Sequence, residues 1–358
     1  MNGVFMENER TGAGKTITIY DIAKEAGVSA STVSRVLTGN AAVRQDKKER
    51  IRSIIQKYNF KPNALAKGLS DTSTKTIGII AADVRNPYYS ALFVACEVAA
   101  EKAGYSVSLA NSLGEKEREQ AQLDLLLQQR VDAIIQMGGR VDDLITDDAY
   151  AEKVRSVCRT TPVVVTGKLD KAPVHSVVID EAMGMNLVME LLIGLGHKKI
   201  ALVGGEMRVN STYLKYQKYR EILAKYGIQE NGEYVVNGTY DPETGYEATN
   251  KILELKDRPT AIIAINDFAA SGALRSIREH RLHVPEDISV ISFDNTYIAD
   301  LVMPKLTSVD YNYEDYGKLL IETATSAAEG KDTANVRMVQ PEIVERDSTG
   351  PAPRSSRK

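Results

Sequence analysis

A run of small hydroxyl residues ends in one arginine, in the sequence SASTVSR (residues 29–35). If this run is helical, one of its sides presents only small or polar residues and a single long cation: Ala30, Ser31, Ser34 and Arg35. Small residues let a helix lie close to a surface, and a guanidinium group can donate two parallel hydrogen bonds to a phosphate or a base edge. The chemistry predicted for this side is recognition by hydrogen bonding.

Residue patterns for catalysis or metal binding are weak. Gly14-Lys15-Thr16 resembles the end of a phosphate-binding loop, but Glu9 stands where the first glycine must be and no strand precedes it. No Gly-x-Ser-x-Gly motif and no credible Cys/His spacing is present, and Cys96 and Cys158 are too few for a disulfide framework. The histidines also lack metal-ligand spacing: His175, His197, His280 and His283. We therefore expect no enzyme, no metal and no cofactor.

The residues around SASTVSR predict a helix-turn-helix unit. A first helix is expected to begin near Ile19, after the capping-box spacing of Thr18 and Asp21, and to stop at Gly27, since glycine accepts a left-handed turn. Ser29 is a good cap for a second helix, and a third helix is expected over about 45–58. The inward apolar positions are Ile22, Ala23, Ala26, Val28, Val33, Val36, Leu37, Ile51, Ile54, Ile55 and Tyr58. Such a unit can place its second helix in the major groove of DNA.

Charge is unevenly distributed along the chain. Residues 16–70 contain ten Lys or Arg and four Asp or Glu, a net +6, whereas the whole chain has a formal net charge of −3. The other 303 residues therefore have about −9. A small basic unit on a larger acidic body favours nucleic-acid binding by the amino-terminal part. The alternative is a solvated charged surface with no partner.

The rest of the chain alternates apolar runs with helical stretches. The expected strands are TIGIIAA, SVSLAN, VDAIIQM, PVVVTG, SVVID, KKIALVGG, EYVVNG, PTAIIAIND and ISVISFDN. Continuous apolar strands separated by helices predict parallel sheets covered on both faces, and two such series predict two similar α/β subdomains. Ligands bind at the carboxyl ends of strands in such sheets, so the cleft between the subdomains is the expected binding site.

Two motifs identify a family resemblance. The sequence T-I-Y-D-I-A-K-E-A-G-V-S-x-x-T-V-S-R-V-L (residues 18–37) resembles the DNA-binding head of the LacI/GalR family of bacterial transcription regulators, and Y-x-F-K-P-N-A-L-A-K-G-L (residues 58–69) resembles its hinge helix. The resemblance continues to about Arg346. It implies an all-α helix-turn-helix head joined to a periplasmic-binding-protein-like α/β core of two doubly wound parallel-sheet subdomains.

The domain boundaries follow from this resemblance and from composition. We expect a disordered extension over 1–15, a DNA-binding domain over 16–61, a hinge helix and linker over 62–75, a core over 76–346 and a disordered polar tail over 347–358. The core is expected to divide into an N-subdomain (about 76–175 and 307–336) and a C-subdomain (about 176–306 and 337–346). The three crossings between subdomains are placed near His175, Leu306 and Val336.

The resemblance also assigns roles on DNA. Residues matching Ala30, Ser31 and Arg35 approach base edges in the family, and Arg35 suits guanine O6 and N7. Positions that mostly hold phosphates match Thr18, Ser29, Thr32, Ser34 and Thr38. For each hydroxyl residue the alternative is that it only caps a helix or faces solvent.

The hinge is expected to fold only on DNA. Pro62-Asn63 could start a helix of about eight residues, which is below the ~12–15 residues that an isolated helix needs in water. In the family, the leucine matching Leu69 wedges between base pairs from the minor groove. The hinge residues expected at DNA are Asn63, Ala66, Lys67 and Leu69. The alternative is a linker whose leucines pack on the core.

Residues at or near strand ends are the candidate ligand contacts: Asn86, Tyr88, Tyr89, Lys215, Tyr240, Asn266 and Asp294. Carboxylate, amide and ammonium groups among tyrosines suit a polyhydroxylated ligand. Asp and Asn at strand ends are also common as helix caps, which is the alternative for several of these positions. Lys215 and Gly167 depart from the family's usual Arg and acid, so the standard sugar pocket is not assured.

Together these features predict a cytoplasmic, homodimeric, ligand-regulated repressor that binds double-stranded operator DNA and a small effector, with a carbohydrate favoured. No apolar run reaches the ~18 residues of a membrane span, and no secretory signal precedes the head. The main alternative is a carbohydrate-binding protein without a regulatory role; a sugar-processing enzyme is a third. The phrase FDNTYIADLVMPKLTSV resembles the catabolite-control subgroup, but Tyr297 and Met303 replace its basic residues, which argues against that subgroup's carrier-protein partner.

Overall fold

The computed structural model describes residues 17–37, 43–60 and 73–353. The chain divides after Thr74 into two compact units, an amino-terminal head and a core that starts at Lys75. In these described ranges, no helix combines the length and the apolar character that crossing a bilayer requires.

The head contains three helices, α1 (Ile19–Ala26), α2 (Ala30–Leu37) and α3 (Gln45–Lys57). Thr18 and Asp21 form the predicted capping box, in which the Thr18 hydroxyl accepts from the Asp21 amide at 3.3 Å and the Asp21 carboxylate accepts from the Thr18 amide at 2.9 Å. Gly27 ends α1 with φ of 67°, a left-handed conformation that would strain any residue with a Cβ.

One apolar cluster holds the three helices together. Its fully or nearly buried members are Ile22, Ala23, Ala26, Val33, Val36, Val43, Ile51 and Ile54. The prediction that Tyr58 belongs to this cluster is wrong, because Tyr58 ends α3 with 38% of its surface exposed. The Lys57 ammonium instead lies over its ring at 4.8 Å and reaches the Glu25 carboxylate of α1 at 2.8 Å.

The first sheet of the core has six parallel strands in the order β11-β5-β4-β3-β1-β2. Its strands are β1 (Thr76–Ala81), β2 (Ser106–Asn111), β3 (Ala133–Met137), β4 (Val163–Val165), β5 (His175–Ile179) and β11 (Val336–Val339). Its helices are α4 (Pro87–Lys102), α5 (Lys116–Gln128), α6 (Asp148–Val157) and α12 (Tyr313–Ala328). Separate apolar clusters pack these helices on the two faces of the sheet, with Leu92 and Leu320 on one side and Leu123 and Val154 on the other.

The second sheet has the order β12-β10-β9-β8-β6-β7, and only the edge strand β12 is antiparallel to its neighbour. Its strands are β6 (Ile200–Val203), β7 (Val235–Val236), β8 (Ala261–Ala264), β9 (Ser289–Asp294), β10 (Thr307–Asp310) and β12 (Glu342–Val344). Its helices are α7 (Glu181–Gly194), α8 (Asn210–Lys225), α9 (Pro242–Leu253), α10 (Asp267–Glu279) and the short α11 (Tyr297–Leu301). Two further apolar clusters pack the long helices on its faces.

The predicted crossings between the subdomains need correction. The chain leaves the first sheet after Ile179, returns to it after Asp310 and leaves again after Val339. The predicted positions, His175, Leu306 and Val336, each fall at or just before the start of a strand that belongs to the sheet being left. The segment 307–310 therefore lies in the C-subdomain, and β5 and β11 lie in the N-subdomain.

The prediction of disorder from residue 347 onward is also wrong as far as residue 353. Ser348 is fully buried, and its hydroxyl accepts from the Thr307 amide at 2.8 Å and donates to the Val290 carbonyl at 2.6 Å. The Gly350 amide donates to the Ser289 hydroxyl at 3.0 Å. Polar composition failed as a guide here because the hydroxyls and backbone of this segment are paired to the second sheet; residues 354–358 lie outside the described ranges.

Candidate functional site

The second helix of the head has the two-sided character that its sequence predicts. Val33 and Val36 are buried against the other two helices, whereas Ser31 and Arg35 are exposed. Ala30 and Ser34 are half-buried between these sides. The outer side of α2 thus presents small residues and one guanidinium group, in a unit held rigid by its own core.

The hydroxyl residues at the start of the helices are engaged in capping. The Thr18 hydroxyl is used in the capping box of α1. The Ser29 hydroxyl accepts from the Thr32 amide at 3.3 Å and lies 2.8 Å from the Ser31 hydroxyl and 2.9 Å from the Thr32 hydroxyl. The predicted DNA contacts Thr38, Asn63, Ala66, Lys67 and Leu69 lie outside the described residues.

A cavity of about 880 Å³ lies between the two sheets of the core. All seven residues predicted to contact a ligand line it: Asn86, Tyr88, Tyr89, Lys215, Tyr240, Asn266 and Asp294. Asn86, Tyr240 and Asn266 follow β1, β7 and β8, and Asp294 is the last residue of β9. Tyr88 and Tyr89 lie in the first turn of α4, and Lys215 stands on α8. The carboxyl ends of parallel strands therefore position most of them, as doubly wound sheets require. The cavity has the size of a small-molecule site.

Two of these residues are committed to helix caps. The Asn86 side chain accepts from the Tyr88 amide at 3.1 Å and starts α4, while Asn266 accepts from the Ala269 amide at 2.8 Å and starts α10. The Asn266 amide group also donates to the Tyr240 carbonyl at 3.2 Å. Their capping role, which the sequence left open as an alternative, limits how many hydrogen bonds they can offer to a ligand.

Lys215 is buried and forms an ion pair with Glu181, a residue that the sequence did not single out. Glu181 begins α7, directly after the first crossing, and burial raises the pKa of its carboxyl while Lys215 opposes that rise. The ammonium group also lies 4.9 Å from the ring centre of Phe293. The cation predicted to grip a ligand is thus already neutralised by the protein.

Tyrosines form much of one wall. Tyr88 makes edge contacts with Tyr89 and Tyr311 at ring distances of 5.0 and 6.2 Å. Burial raises the pKa values of Tyr88 and Tyr89 well above the ordinary range, so both hydroxyls stay protonated and can donate hydrogen bonds. The Tyr240 hydroxyl lies 2.8 Å from the Thr212 hydroxyl.

Contacts cross the cleft between the two subdomains. Asp142, which follows β3, accepts hydrogen bonds from the Ser211 amide at 3.1 Å and from its hydroxyl at 2.6 Å, at the start of α8. The Leu144 amide donates to the Arg208 carbonyl at 2.7 Å, and the Arg208 guanidinium lies 3.4 Å from Asp143. Burial raises the pKa of Asp142 to about 6, which the Ser211 hydroxyl partly opposes. These contacts join the two subdomains across the cleft.

A second buried ion pair, Glu119 with Arg140, also lines the cavity. Glu119 and Arg140 lie 3.4 Å apart, and the Arg140 guanidinium stacks over the Tyr150 ring at 4.4 Å. Burial raises the pKa of Glu119 to about 7, although the hydrogen bond from the Arg140 amide lowers it.

The sequence could have indicated Asp142, because it follows the end of a strand. Glu119 lies within a helix, and no pattern in the sequence distinguishes it.

The fold and the cavity define a class of protein: a helix-turn-helix head followed by a two-subdomain, periplasmic-binding-like α/β core with a ligand cavity between the sheets. Residues 18–63 match the model of bacterial regulatory proteins of the lacI family, and residues 189–349 match a periplasmic binding protein-like domain. The chain belongs to the LacI family of bacterial regulatory proteins. One relative, the HTH-type transcriptional repressor PurR of Haemophilus influenzae, is 32% identical over 92% of this chain and 98% of that protein.

Three similar proteins illustrate this membership. Catabolite control protein A of Priestia megaterium is 34% identical over 326 residues, which are 90% of this chain and 96% of that protein. A lac repressor dimer bound to operator and the anti-inducer ONPF has a TM-score of 0.84 and 27% identity, covering 94% of this chain and 100% of the repressor chain. A complex of the transcriptional regulator CelR with cellobiose has a TM-score of 0.69 and 25% identity, covering 93% and 99%.

Proposed function

We propose that this protein is a homodimeric repressor whose binding to a near-palindromic operator is controlled by a small molecule held in the core cavity. The observation that carries the proposal is the outer side of α2, where Arg35 and Ser31 are exposed opposite the buried Val33 and Val36. A helix with this division can enter the major groove while its head stays folded. A repressor must act where the chromosome is, so the proposal includes a cytoplasmic location.

On DNA, we assign Ala30, Ser31 and Arg35 to base edges and the capped hydroxyls to phosphates. The hinge residues 62–69 are proposed to fold on DNA, with Leu69 as the wedge.

The effector is proposed to be a carbohydrate or a derivative of one. The cavity combines tyrosine rings with buried carboxylate, amide and hydroxyl groups, which suits a ligand with both ring faces and hydroxyls. The CelR complex supports this class, since that relative holds cellobiose. Ligand binding would act on DNA affinity only if it favours one arrangement of the two subdomains over another.

Two exposed apolar areas of the core support a dimer. Val94 and Val98 of α4 are 53% and 44% exposed, and Leu301 and Met303 are 71% and 84% exposed. Val94 and Val98 lie one turn apart on α4, Leu301 and Met303 lie two residues apart in the chain, and contiguous exposed apolar patches are typical of interfaces. Two heads related by a two-fold axis would read two half-sites, and the lac repressor relative is a dimer on its operator.

The test is selection of bound duplexes from a random DNA pool by the full-length protein at near-physiological salt. We expect enrichment of one motif with two inverted half-sites, because base contacts from two α2 helices add to the phosphate contacts. A pool that stays random after repeated rounds would contradict the proposal and favour the alternative, a carbohydrate-binding protein without a regulatory role.

A further inference from the structure

Lys75 is the residue at which the chain enters the core, and its backbone has an unusual conformation. The compact unit of the core begins at this residue, and its φ of 50° lies in the left-handed region, which is rare for a residue with a Cβ. Such a conformation persists only where the surrounding contacts hold it, and it often marks a functional position. The contacts of Lys75 therefore identify what holds the point where the linker meets the core.

Three separate elements of the N-subdomain hold Lys75. Its amide donates to the Asp132 carboxylate at 3.0 Å, just before β3, and its carbonyl accepts from the Ser106 amide at 2.9 Å, at the start of β2. Its ammonium group donates to the Tyr105 hydroxyl at 3.0 Å, lies 4.3 Å from the centre of that ring, and lies 3.7 Å from the Glu329 carboxylate. Glu329 directly follows α12. The start of the core is thus fixed to the carboxyl-terminal end of that helix.

The opposite end of α12 lies next to the wall of the cavity. Tyr313 is the first residue of α12, and the centre of its ring lies 6.1 Å from that of Tyr88, which lines the cavity. Tyr88 packs against apolar clusters of both subdomains, so its position depends on how the two subdomains are arranged. Because α12 has 16 residues, it spans about 24 Å between the cavity wall and the contacts of Lys75.

The cavity end of α12 contains a polar group that this arrangement leaves unsatisfied. The Tyr313 hydroxyl is buried and has no hydrogen-bond partner among the described residues. A buried hydroxyl without a partner raises the free energy of the arrangement in which it occurs. A small displacement of this end of the helix can therefore change the balance between two arrangements, and the ring of Tyr88 is in the position to produce it.

We propose that Lys75 is a positioning residue that fixes where the linker leaves the core, and that α12 connects it to the cavity wall at Tyr88. The proposal rests on the function proposed above, since it assigns residues through which the cavity acts on operator binding. A helix in contact with both sites can carry such a coupling if its two ends respond together. The alternative is that Lys75 only stabilises the core.

The first test compares Lys75→Met with Lys171→Met in the full-length protein, on the duplex obtained by the selection above. Lys171 is a matched control, because it also has a left-handed backbone, with φ of 67°, and an exposed ion pair, 2.7 Å from Asp148 on α6. We expect Lys75→Met to weaken operator binding at least about fivefold and Lys171→Met less than about twofold, with similar melting temperatures. Lys75→Arg keeps the cation and should restore operator binding. A lower melting temperature of Lys75→Met with unchanged operator affinity would overturn the proposal in favour of the alternative.

Tyr313→Phe tests the connection along α12. It removes only the unpartnered hydroxyl, so we expect a higher melting temperature and a change in operator affinity of at least about threefold. This change should disappear in the Lys75→Met background and persist in the Lys171→Met background. The two sites are too far apart for a direct contact, so their effects multiply if α12 carries no coupling.

Two outcomes separate this proposal from the function on which it rests. Effects of Lys75→Met and Tyr313→Phe that multiply to within about twofold would overturn the proposal, while specific operator binding by the same variants leaves the regulator proposal standing. A DNA pool that stays random with the wild-type protein would contradict the proposed function, and this proposal with it.

Discussion

Arg35 is the one long cation on the outer side of α2, and its role distinguishes sequence recognition from general attraction to phosphates. Arg35→Ala should reduce the preference for the selected operator over a scrambled duplex by roughly 5–150-fold, since a bidentate contact to guanine is worth about 1–3 kcal/mol. Fluorescence anisotropy with labelled duplexes measures both affinities.

The matched control is Arg52→Ala, which removes the same charge from an exposed position on α3. It should weaken both duplexes alike, because phosphate contacts carry no sequence information. Equal preference in wild type and Arg35→Ala would show that α2 is not the recognition helix.

Asp142 gives a prediction of pH dependence. Its pKa rises from 3.8 to about 6 on folding, so the folded state binds the proton more tightly than the unfolded state. Stability from this group is therefore lost as pH rises from about 4 to about 6, by on the order of 2–3 kcal/mol. Asp142→Asn keeps the shape and should become more stable than wild type above about pH 6, with no advantage near pH 4.

Denaturant unfolding followed by circular dichroism across this pH range measures the difference. The control is Asp287→Asn, because the hydrogen bond from the His283 amide lowers the Asp287 pKa and gives a slope of the opposite sign. Parallel stability curves for wild type and Asp142→Asn would contradict the assignment.

The sequence predicted which residues line the cavity better than it predicted what each of them contacts. Strand ends placed six of the seven candidates around the cavity, because the carboxyl ends of parallel strands meet there, whereas Lys215 stands on α8 and was indicated by the family resemblance. The side-chain oxygens of Asn86 and Asn266 nevertheless accept hydrogen bonds from backbone amides at helix starts, and Lys215 forms an ion pair with Glu181. Pairing between residues far apart in the chain could not be predicted from either residue alone.

Among the elements, the nine apolar strands were predictable and the last three were not. Runs such as PTAIIAIND are continuous in buried apolar residues, so their strand character is local. Strand β10 contains Thr307 and Ser308, which are buried only because Ser348 and Asp267 pair with them. Strands β11 and β12 are short edge strands in which six of the seven residues are exposed or half-buried. These three strands depend on partners that are distant in the chain, so the sequence did not predict them. Because they were not predicted, the crossings between the subdomains were misplaced.

Helices α9 and α10 pack backbone against backbone through Gly272. A Cβ there would overlap the backbone carbonyl of Pro242, which has no freedom to move aside. Gly272→Ala should therefore lower the free energy of unfolding by more than about 2 kcal/mol, measured by denaturant titration.

Gly194→Ala is the matched control, because that helical glycine has open space around the added Cβ. Its expected effect is neutral or a gain of up to about 1 kcal/mol, since alanine is the better helix former. Similar losses in both variants would contradict the close approach of α9 and α10.

At the scale of the whole molecule, the carboxyl-terminal segment 347–353 packs against the second sheet of the core. Buried His197 lies 3.0 Å from the Gly350 carbonyl, and Ser348 joins β9 and β10. Deleting residues 347–358 leaves several buried polar groups without partners, at about 1–3 kcal/mol each, so the melting temperature should fall by many degrees. Deleting only 354–358 should leave it unchanged. A melting temperature insensitive to the longer deletion would refute this account of the segment.

The molecule has a helix-turn-helix head, which we propose contacts DNA, and a core with a cavity between its two sheets. The most direct measurement of that account is the affinity of the full-length protein for its selected operator and for a scrambled duplex, at about 150 mM salt. We predict that the operator binds at least about a thousandfold more tightly, the lower range for specific regulators. Equal affinity for the two duplexes would contradict the central claim.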